Sequence, residues 1–207
     1  MKKHFALVIG LFALILLEGC ASKDAIRIGQ YKWTKRGMYL QVPHPEPVEF
    51  TLPFMPNEQW AYRVATYSIE HGVFRVQFVL GEVESPSLNL TVRGATRSLV
   101  ERDSSFTPPP MASDSAVVMY FMQWDAENSF ENYEPLKGGS VLSSSFNKEN
   151  GYGLICLEGK DDFRECSAVK LTEKGNFYVV TAYTVNPMDN PDKYVIDMME
   201  SFDHYNP

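Results

Sequence analysis

One stretch of the sequence decides the fold: KGNFYVVTAYTVNPMDNPDKYVIDMMESF, residues 174–202. Turn-forming residues lead into the run at 177–185, whose aromatic and β-branched residues are typical of a strand. Asn190 is a good helix N-cap, and Pro191 fits the first helical position. Apolar residues then recur at three- and four-residue spacing and predict one apolar face (Tyr194, Val195, Met198, Met199 and Phe202). The stretch therefore predicts a long strand followed by a helix that packs on its sheet.

Hairpin patterns dominate the first half of the chain. Residues 60–69 and 73–80 predict two strands that turn at 70–72, and the second strand alternates apolar with polar residues. The alternation returns at residues 87–92, and residues 31–42 predict two strands around a further turn. Together these segments predict a sheet built from antiparallel hairpins.

The middle of the chain is expected to hold loops and one buried strand. Pro108, Pro109 and Pro110 favour an extended crossing loop. Residues 117–124 are strongly apolar and β-branched at their start, which predicts a buried strand, and residues 125–145 are predicted mainly as loop. Hairpins followed by a covering helix predict an α+β fold, a mostly antiparallel β-sheet with a C-terminal helix packed on it.

The N-terminal segment has the pattern of an export signal. Lys2 and Lys3 precede an apolar run at residues 5–17, which is shorter than the roughly 20 apolar residues that a membrane-spanning helix needs. A charged start, a short apolar middle and small residues at the end are typical of a secretory signal. A buried core helix is the alternative, and it suits the two lysines less well.

The end of this segment, Leu-x-Gly-Cys at residues 17–20, resembles the lipobox of bacterial lipoprotein precursors. The resemblance implies that Cys20 becomes a diacylglyceryl cysteine, that the chain is cleaved before it, and that acyl chains such as palmitate anchor the protein. Ala21 follows the cysteine, where an aspartate would imply retention in the inner membrane. We therefore expect a lipid-anchored protein of the cell envelope, at the periplasmic face of the outer membrane.

The chain is expected to have three parts. These are a cleaved lipoprotein signal peptide at residues 1–19, a lipidated N-terminus and tether at residues 20–30, and a single β-rich α+β domain at residues 31–207. Hydrophobic residues make up 44% of the chain, which is sufficient for a packed core and argues against disorder.

Two cysteines follow the lipobox, Cys156 and Cys166. An exported protein meets an oxidising compartment, so the pair is predicted to form a disulfide rather than to remain as free thiols. Residues 157–165 between them are rich in turn formers, which suits a hairpin tip with the cysteines on neighbouring strands. A metal or redox pair is the rival interpretation, but the spacing is not C-x-x-C and no histidine lies nearby.

The C-terminal pattern also carries a resemblance to a known family. The strand at 177–185, its short polar link and the helix ending Met199-Glu200-Ser201-Phe202 resemble the C-terminal end of PsbP/Mog1-like proteins. That family includes small bacterial lipoproteins. The resemblance implies a helix-flanked antiparallel sheet and mostly binding or assembly roles, and it supplies no catalytic residues.

No local pattern in the sequence carries catalytic chemistry. Phosphate-binding loops, dinucleotide fingerprints, H-E-x-x-H, nucleophile elbows and EF-hand loops are absent, so no catalytic residue and no cofactor is assigned. The histidines that follow the lipobox are His44, His71 and His204, and each is isolated in the sequence. Each is therefore interpreted as a surface residue, although a triad assembled in space would leave no local signature.

Three acidic groups are candidate metal ligands or acid–base pairs. Residues 161–162 and 189–192 could offer oxygens to Ca²⁺, but a solvated turn and helix capping are sufficient explanations for them. Residues 125–127 hold two carboxylates, yet the sequence supplies no partner for them. No metal is expected.

Charge and composition leave a binding function as the leading hypothesis. The net charge is −7 without a basic cluster, which argues against nucleic acid as a partner. We expect an envelope lipoprotein that acts as a non-enzymatic protein-binding or assembly module, with the membrane and an envelope protein as partners. Two alternatives stay open: an envelope hydrolase on cell-wall or glycan material, whose carboxylates converge from separate loops, and a small-ligand or lipid-binding lipoprotein.

Overall fold

The computed structural model describes residues 30–34, 37–42, 45–52, 60–68, 73–82, 85–110, 112–184 and 191–205. The predicted signal peptide, Cys20 and nearly all of the predicted tether lie outside these ranges. No helix among the described residues is both long and apolar enough to cross a membrane.

Eleven strands form two sheets in the described part of the chain. In chain order they are β1 (Gln30–Thr34), β2 (Gly37–Val42), β3 (Val48–Leu52), β4 (Trp60–Ser68), β5 (Val73–Glu82), β6 (Ser85–Thr96), β7 (Ser140–Asn147), β8 (Tyr152–Glu158), β9 (Arg164–Leu171), β10 (Asn176–Thr184) and β11 (Asp203–His204). The small sheet has the order β1-β2-β3-β11, and the large sheet has the order β4-β5-β6-β10-β9-β8-β7. All neighbouring strands pair antiparallel.

The described ranges also hold three α-helices: α1 (Arg97–Val100), α2 (Asp114–Asn132) and α3 (Pro191–Glu200). Helix α2 contacts β7, β8 and β9 on one face of the large sheet, and α3 contacts β8, β9 and β10 on the other. The small sheet shares the core on the α3 side. The large sheet is therefore the middle layer between α2 and the combined layer of α3 and the small sheet.

Strand β10 crosses the middle of this arrangement and contributes to both cores. Tyr178, Val180 and Ala182 pack with the small sheet and α3, whereas Phe177 and Val179 pack under α2. This alternation follows from the two-residue period of a strand whose two faces are both covered. The predicted α+β fold class, the long strand and the C-terminal helix packed on the sheet are confirmed.

The predicted hairpins also form, with some of their turns outside the described residues. Strands β4 and β5 pair along the segments predicted at 60–69 and 73–80, and β5 continues into a pairing with β6. Residues 69–72, which hold His71, lie outside the described part of the chain, as does the predicted N-cap Asn190. The two strands predicted within 31–42 are β1 and β2.

The predicted strand at 117–124 is wrong, because this segment lies within helix α2. Ser113 is the N-cap, and its side chain accepts a hydrogen bond from the Ala116 amide. The buried side chains recur at helical spacing (Val117, Val118, Phe121, Met122 and Ala126). A short apolar run does not distinguish a buried strand from a buried helix by itself, and the β-branched start favoured the wrong choice.

The prediction of loop for residues 125–145 is wrong for the same reason. Helix α2 continues to Asn132, and β7 begins at Ser140. Only the short connection between them, which includes a 3₁₀ turn at Glu134–Leu136, is irregular. Gly153 on β8 allows α2 to pack closely, because a Cβ at this position would lie 2.6 Å from Met122 Sδ.

The predicted disulfide joins Cys156 and Cys166 in the structure. The two cysteines are directly opposite each other on β8 and β9, as expected for the two arms of a hairpin. At the tip, Asp161 and Asp162 adopt positive φ angles of 52° and 59° and are exposed. Aspartate tolerates this left-handed conformation better than most residues, so the tip sequence suits the turn.

Candidate functional site

Strand β7 is one of the two outer strands of the large sheet and has a free edge within the described part of the chain. It pairs with β8 alone, and the pairing is regular from Ser143 to Asn147. The register shifts between Val141 and Ser143, so Leu142 is the extra residue of a bulge. The strand sequence, SVLSSSFN, contains no charged residue and no proline. Edge strands normally carry such residues as protection against pairing, so this edge is open to an added strand.

An apolar groove runs beside β7, between this strand and helix α2. We call it the edge groove; its volume is about 610 Å³. Its lining is mostly apolar and comes from the proline-rich loop, α2, β7 and β8 (Pro109, Ala116, Met119, Tyr120, Gln123, Ala126, Glu127, Phe130, Val141, Ser144 and Ile155). Val141 is 48% exposed and Leu142 45%, although both are large apolar residues. Exposed apolar surface beside an open edge is typical of a binding surface.

The wall of the groove that contains Pro109 is held in place by Phe106. This side chain is buried although it belongs to the loop, and its ring centroid lies 5.4 Å from those of both Tyr120 and Trp124. The indole Nε1 of Trp124 donates a hydrogen bond of 2.8 Å to Ser105 Oγ. The backbone amide and the hydroxyl of Thr107 also lie within hydrogen-bond distance of the Tyr120 hydroxyl. The proline-rich segment is therefore fixed to α2 by one aromatic anchor and by these hydrogen bonds.

A second concave feature lies on the same face of the large sheet, beside the C-terminal half of α2. We call it the arginine cleft; its volume is about 210 Å³. Its floor and walls come from β5, β6, β9, β10, α2 and the residue after α2 (Arg75, Gln77, Thr91, Arg93, Ser129, Tyr133, Glu165, Thr181 and Tyr183). In contrast to the edge groove, its lining is mainly polar.

The floor of the arginine cleft is a layer of buried polar side chains. Gln77 Nε2 donates to Asn89 Oδ1 at 3.1 Å, and the hydroxyls of Ser167 and Thr181 are hydrogen bonded at 2.8 Å. These residues lie on neighbouring strands of the sheet, with their side chains on the same face. Hydrogen bonding compensates for their burial and fixes their orientation.

An ion pair closes one side of the arginine cleft. Arg93 donates to both oxygens of the Asp125 carboxylate, at 2.6 and 3.2 Å. Burial alone would lower the pKa of Arg93, but the charge of Asp125 and its hydrogen bonds, together with Glu165, raise this pKa above its ordinary value. Helix α2 is thus joined to β6 by a bidentate, partly buried pair.

Glu165 is the unusual titratable group of the cleft. Burial raises the pKa of its carboxyl to about 7; the charge of Arg93 opposes this shift, and that of Asp125 adds to it. Burial and the neighbouring Tyr183 hydroxyl also raise the pKa of Tyr133 above its ordinary value. Near neutral pH, Glu165 therefore exists in both its protonated and its ionised form.

The residues named from the sequence are not brought together into one site. Cys20, His44 and His71 lie outside the described residues. His204 is exposed, and its Nδ1 lies 3.9 Å from Glu46 Oε2. Among the described residues, no group of three or more His, Cys, Asp or Glu side chains could hold a metal ion.

The acidic pair at 125–127 is divided between the two concave features. Asp125 faces the arginine cleft through its pair with Arg93, whereas Glu127 lies on the rim of the edge groove. Residues two apart on a helix do not share a face, so these carboxylates cannot act together. Arg93 and Glu165 could not be identified from the sequence, because their strands come together only through the sheet order. The polar positions that alternate with apolar ones along β5 were the one local signal of a polar face.

Comparisons with known proteins give a structural neighbour and no family. No family model matches the chain, and no curated protein matches it. Among solved structures, the chain is similar to the solution structure of cyanobacterial PsbP (CyanoP) from Synechocystis sp. PCC 6803, with 17% sequence identity and a TM-score of 0.45. The match covers 88% of this chain and 95% of that one.

Proposed function

We propose that the protein is an envelope lipoprotein, a non-enzymatic protein-binding module anchored through an acylated Cys20, and that it binds its partner at β7 and the edge groove. The observation that carries this proposal is the open edge of β7, which lacks charge and proline and lies beside an exposed apolar groove. Such an edge is costly to leave exposed unless it has a partner.

The occupant that fits this surface is an extended segment of another polypeptide, added as a strand to β7. The regular edge from Ser143 to Asn147 offers backbone groups for hydrogen bonding, and the groove accepts alternate side chains of the added strand. Glu127 on the rim and the net charge of −7 favour a segment that also carries basic residues. The proposed partner segment therefore alternates apolar with basic residues.

The proposed anchor would keep this surface near the membrane. Residues 21–29 connect Cys20 with β1, and a chain of this length spans at most about 30 Å when fully extended. An acylated cysteine with two or three chains is sufficient for stable attachment. We propose the periplasmic face of the outer membrane as the location, because Ala21 rather than aspartate follows the cysteine.

The structure gives less support to the hydrolase alternative. Asp125 and Glu165 lie at the same cleft, but both oxygens of Asp125 accept hydrogen bonds from Arg93. A carboxylate whose two oxygens both accept from one arginine is poorly placed to take a proton from a substrate. The small-ligand alternative concerns the same cleft.

Peptide binding to the full chain in a neutral detergent tests the proposed surface. The probe is an eight-residue peptide of alternating valine and lysine; the control peptides are a block arrangement of the same residues and an alternating valine–glutamate peptide. We expect the alternating basic peptide to bind at least tenfold more tightly than either control, measured by fluorescence anisotropy. Equal binding of the block peptide would show that charge alone attracts the probe.

A pair of matched variants then places the binding site. Val141→Lys puts a charge on the open edge, which is how natural edge strands prevent pairing. Ser98→Lys adds the same charge at an exposed position of α1, the short helix that directly follows β6. We expect the first variant to raise Kd at least tenfold over the second, and equal Kd values would contradict the assignment of the surface.

The anchor is tested separately in the bacterial cell. We expect Cys20→Ser to abolish labelling by a radioactive or clickable fatty acid and to prevent cleavage of the signal peptide, because serine lacks the thiol that accepts the diacylglyceryl group. Retention of the lipid label in Cys20→Ser would overturn the lipoprotein proposal, whereas it would leave the peptide-binding result unaffected.

A further inference from the structure

Two arginines lie directly opposite each other in the arginine cleft. Arg75 on β5 and Arg93 on β6 are register partners, and both line the cavity. Like charges at directly opposed positions destabilise an antiparallel pair of strands unless other groups compensate for them. The sheet therefore carries a local electrostatic cost at this point, and such costs are characteristic of functional positions.

The positive charges of the two arginines are only partly neutralised within the described part of the chain. Asp125 neutralises Arg93 through a bidentate pair, but Arg75 is exposed and makes no hydrogen bond or ion pair there. Glu165 is the other carboxyl at the cleft, and it is only partly ionised near neutral pH. A local positive excess thus remains on a protein whose net charge is −7.

The cavity also offers a neutral hydrogen-bond donor beside the arginines. Thr91 is 6% exposed and lines the floor. A hydroxyl at the floor of a cavity can donate a hydrogen bond to a bound acceptor. The cavity volume of about 210 Å³ is smaller than the roughly 300–1,000 Å³ of sites for drug-sized ligands.

From this geometry we propose that the arginine cleft binds the oxyanion group of a small molecule, a carboxylate or a phosphate, held by Arg75 and Arg93 with Thr91 as an additional donor. The guanidinium of Arg75 presents paired N–H groups that match the oxygens of either group, and Arg93 adds the N–H groups that Asp125 does not occupy, so the shared chemistry is that of an oxyanion. The anion would remove the repulsion between the opposed arginines. The proposal does not depend on the edge groove.

The groups around Glu165 predict how such binding depends on pH. Four charged or titratable side chains surround the Glu165 carboxyl. They are Arg93 on β6, Asp125 on α2, Tyr133 directly after α2 and Tyr183 on β10. An incoming anion disfavours the ionised form of Glu165, so binding is coupled to protonation of this residue. If only the protonated form accepts the ligand, affinity falls about tenfold between pH 6 and pH 8.

Calorimetric titration of the full chain in a neutral detergent tests the proposal. The probes are succinate and inorganic phosphate, together with phosphatidylglycerol incorporated into the detergent micelles, which distinguish a free small anion from a lipid headgroup. We expect at least one probe to bind, and we expect Arg75→Gln to weaken that binding at least tenfold. The matched control is Arg102→Gln, which removes the same charge from an exposed loop residue and leaves binding unchanged.

The pH series uses succinate, or whichever probe binds, between pH 6 and pH 8. We expect the affinity of the unaltered chain to fall as the pH rises, and we expect Glu165→Gln to flatten this dependence. Phosphate itself titrates in this range. If phosphate is the probe, the pH dependence measured with the Glu165→Gln chain is subtracted from that of the unaltered chain to remove the contribution of phosphate ionisation. Absence of binding by all three probes at 10 mM, or equal binding by the Arg75→Gln and Arg102→Gln variants, would overturn the proposal.

Discussion

The shape of the edge groove depends on Phe106, and replacing this residue by alanine should expose that dependence. Phe106 is only 3% exposed although it lies in the loop before α2. Its ring packs edge-to-face on four aromatic rings of α2 and β10 (Tyr120, Phe121, Trp124 and Phe177, at 5.4, 6.0, 5.4 and 6.2 Å). The truncation therefore removes an anchor that joins the proline-rich loop to both the helix and the sheet.

The expected cost follows from the burial of this ring. Truncation of a buried phenylalanine to alanine costs about 3–5 kcal/mol. The loop can relax into part of the cavity that the missing ring leaves, so we expect the free energy of unfolding to fall by about 3 kcal/mol. For a domain of this size that corresponds to a fall in Tm of about 6–12 °C.

The assay is urea unfolding of the full chain in neutral detergent, followed by far-UV circular dichroism. Phe106→Leu, which keeps most of the apolar volume, should lose about half as much, and Ser104→Ala at an exposed loop position should change nothing measurable. Amide exchange should also accelerate at Thr107 and Ala112, whose amides donate to Tyr120 Oη and to the Pro109 carbonyl and flank the three prolines that have no amide hydrogen. A loss below about 1 kcal/mol for Phe106→Ala, with unchanged exchange in the loop, would refute the reasoning.

Three further predictions concern stability. Burial raises the pKa of Glu165 to about 7, so the folded state binds more protons than the unfolded state between about pH 4.3 and 7. The free energy of unfolding should therefore fall as the pH rises through this window, and Glu165→Gln should remove the fall, as measured by denaturant titrations from pH 4 to 8. Reduction of the Cys156–Cys166 disulfide opens the loop that it closes in the unfolded chain, so the unfolded state gains conformational entropy. The free energy of unfolding should fall by about 2–3 kcal/mol in the same measurement, and the double variant Cys156→Ser/Cys166→Ser is the check without a reducing agent. Glu46→Ala should cost about 2–4 kcal/mol, because the buried carboxylate accepts hydrogen bonds from Thr172 and Asn176, whereas Glu173→Ala at an exposed position should stay within about 0.5 kcal/mol.

Local periodicity explains why part of the fold could be predicted. Strand β10 has aromatic and β-branched residues over its whole length, and α3 has a single apolar face, so each pattern identifies its element without tertiary information. Helix α2 is different, because it packs on the sheet through a dense apolar run at residues 117–122. The signals that identify it as a helix are the N-cap Ser113 and the length of the segment that follows.

The two concave features could not be predicted because they depend on which strands become neighbours. Arg75 and Arg93 are opposed only in the register that β5 and β6 adopt, and Glu165 comes from a strand much later in the chain. Similarly, nothing in the sequence SVLSSSFN shows that β7 is the last strand of its sheet. The position of a strand in the sheet order is a tertiary property. The disulfide, in contrast, could be predicted from the sequence because its two cysteines flank one hairpin.

The central claim is that β7 accepts an added strand, and amide hydrogen exchange of the full chain with and without the alternating valine–lysine peptide tests it most directly. We predict that the peptide slows exchange of alternate amides within residues 143–147, as backbone pairing along one edge requires, and that the block peptide does not. Unchanged exchange along β7 under conditions where the peptide is bound would contradict the account.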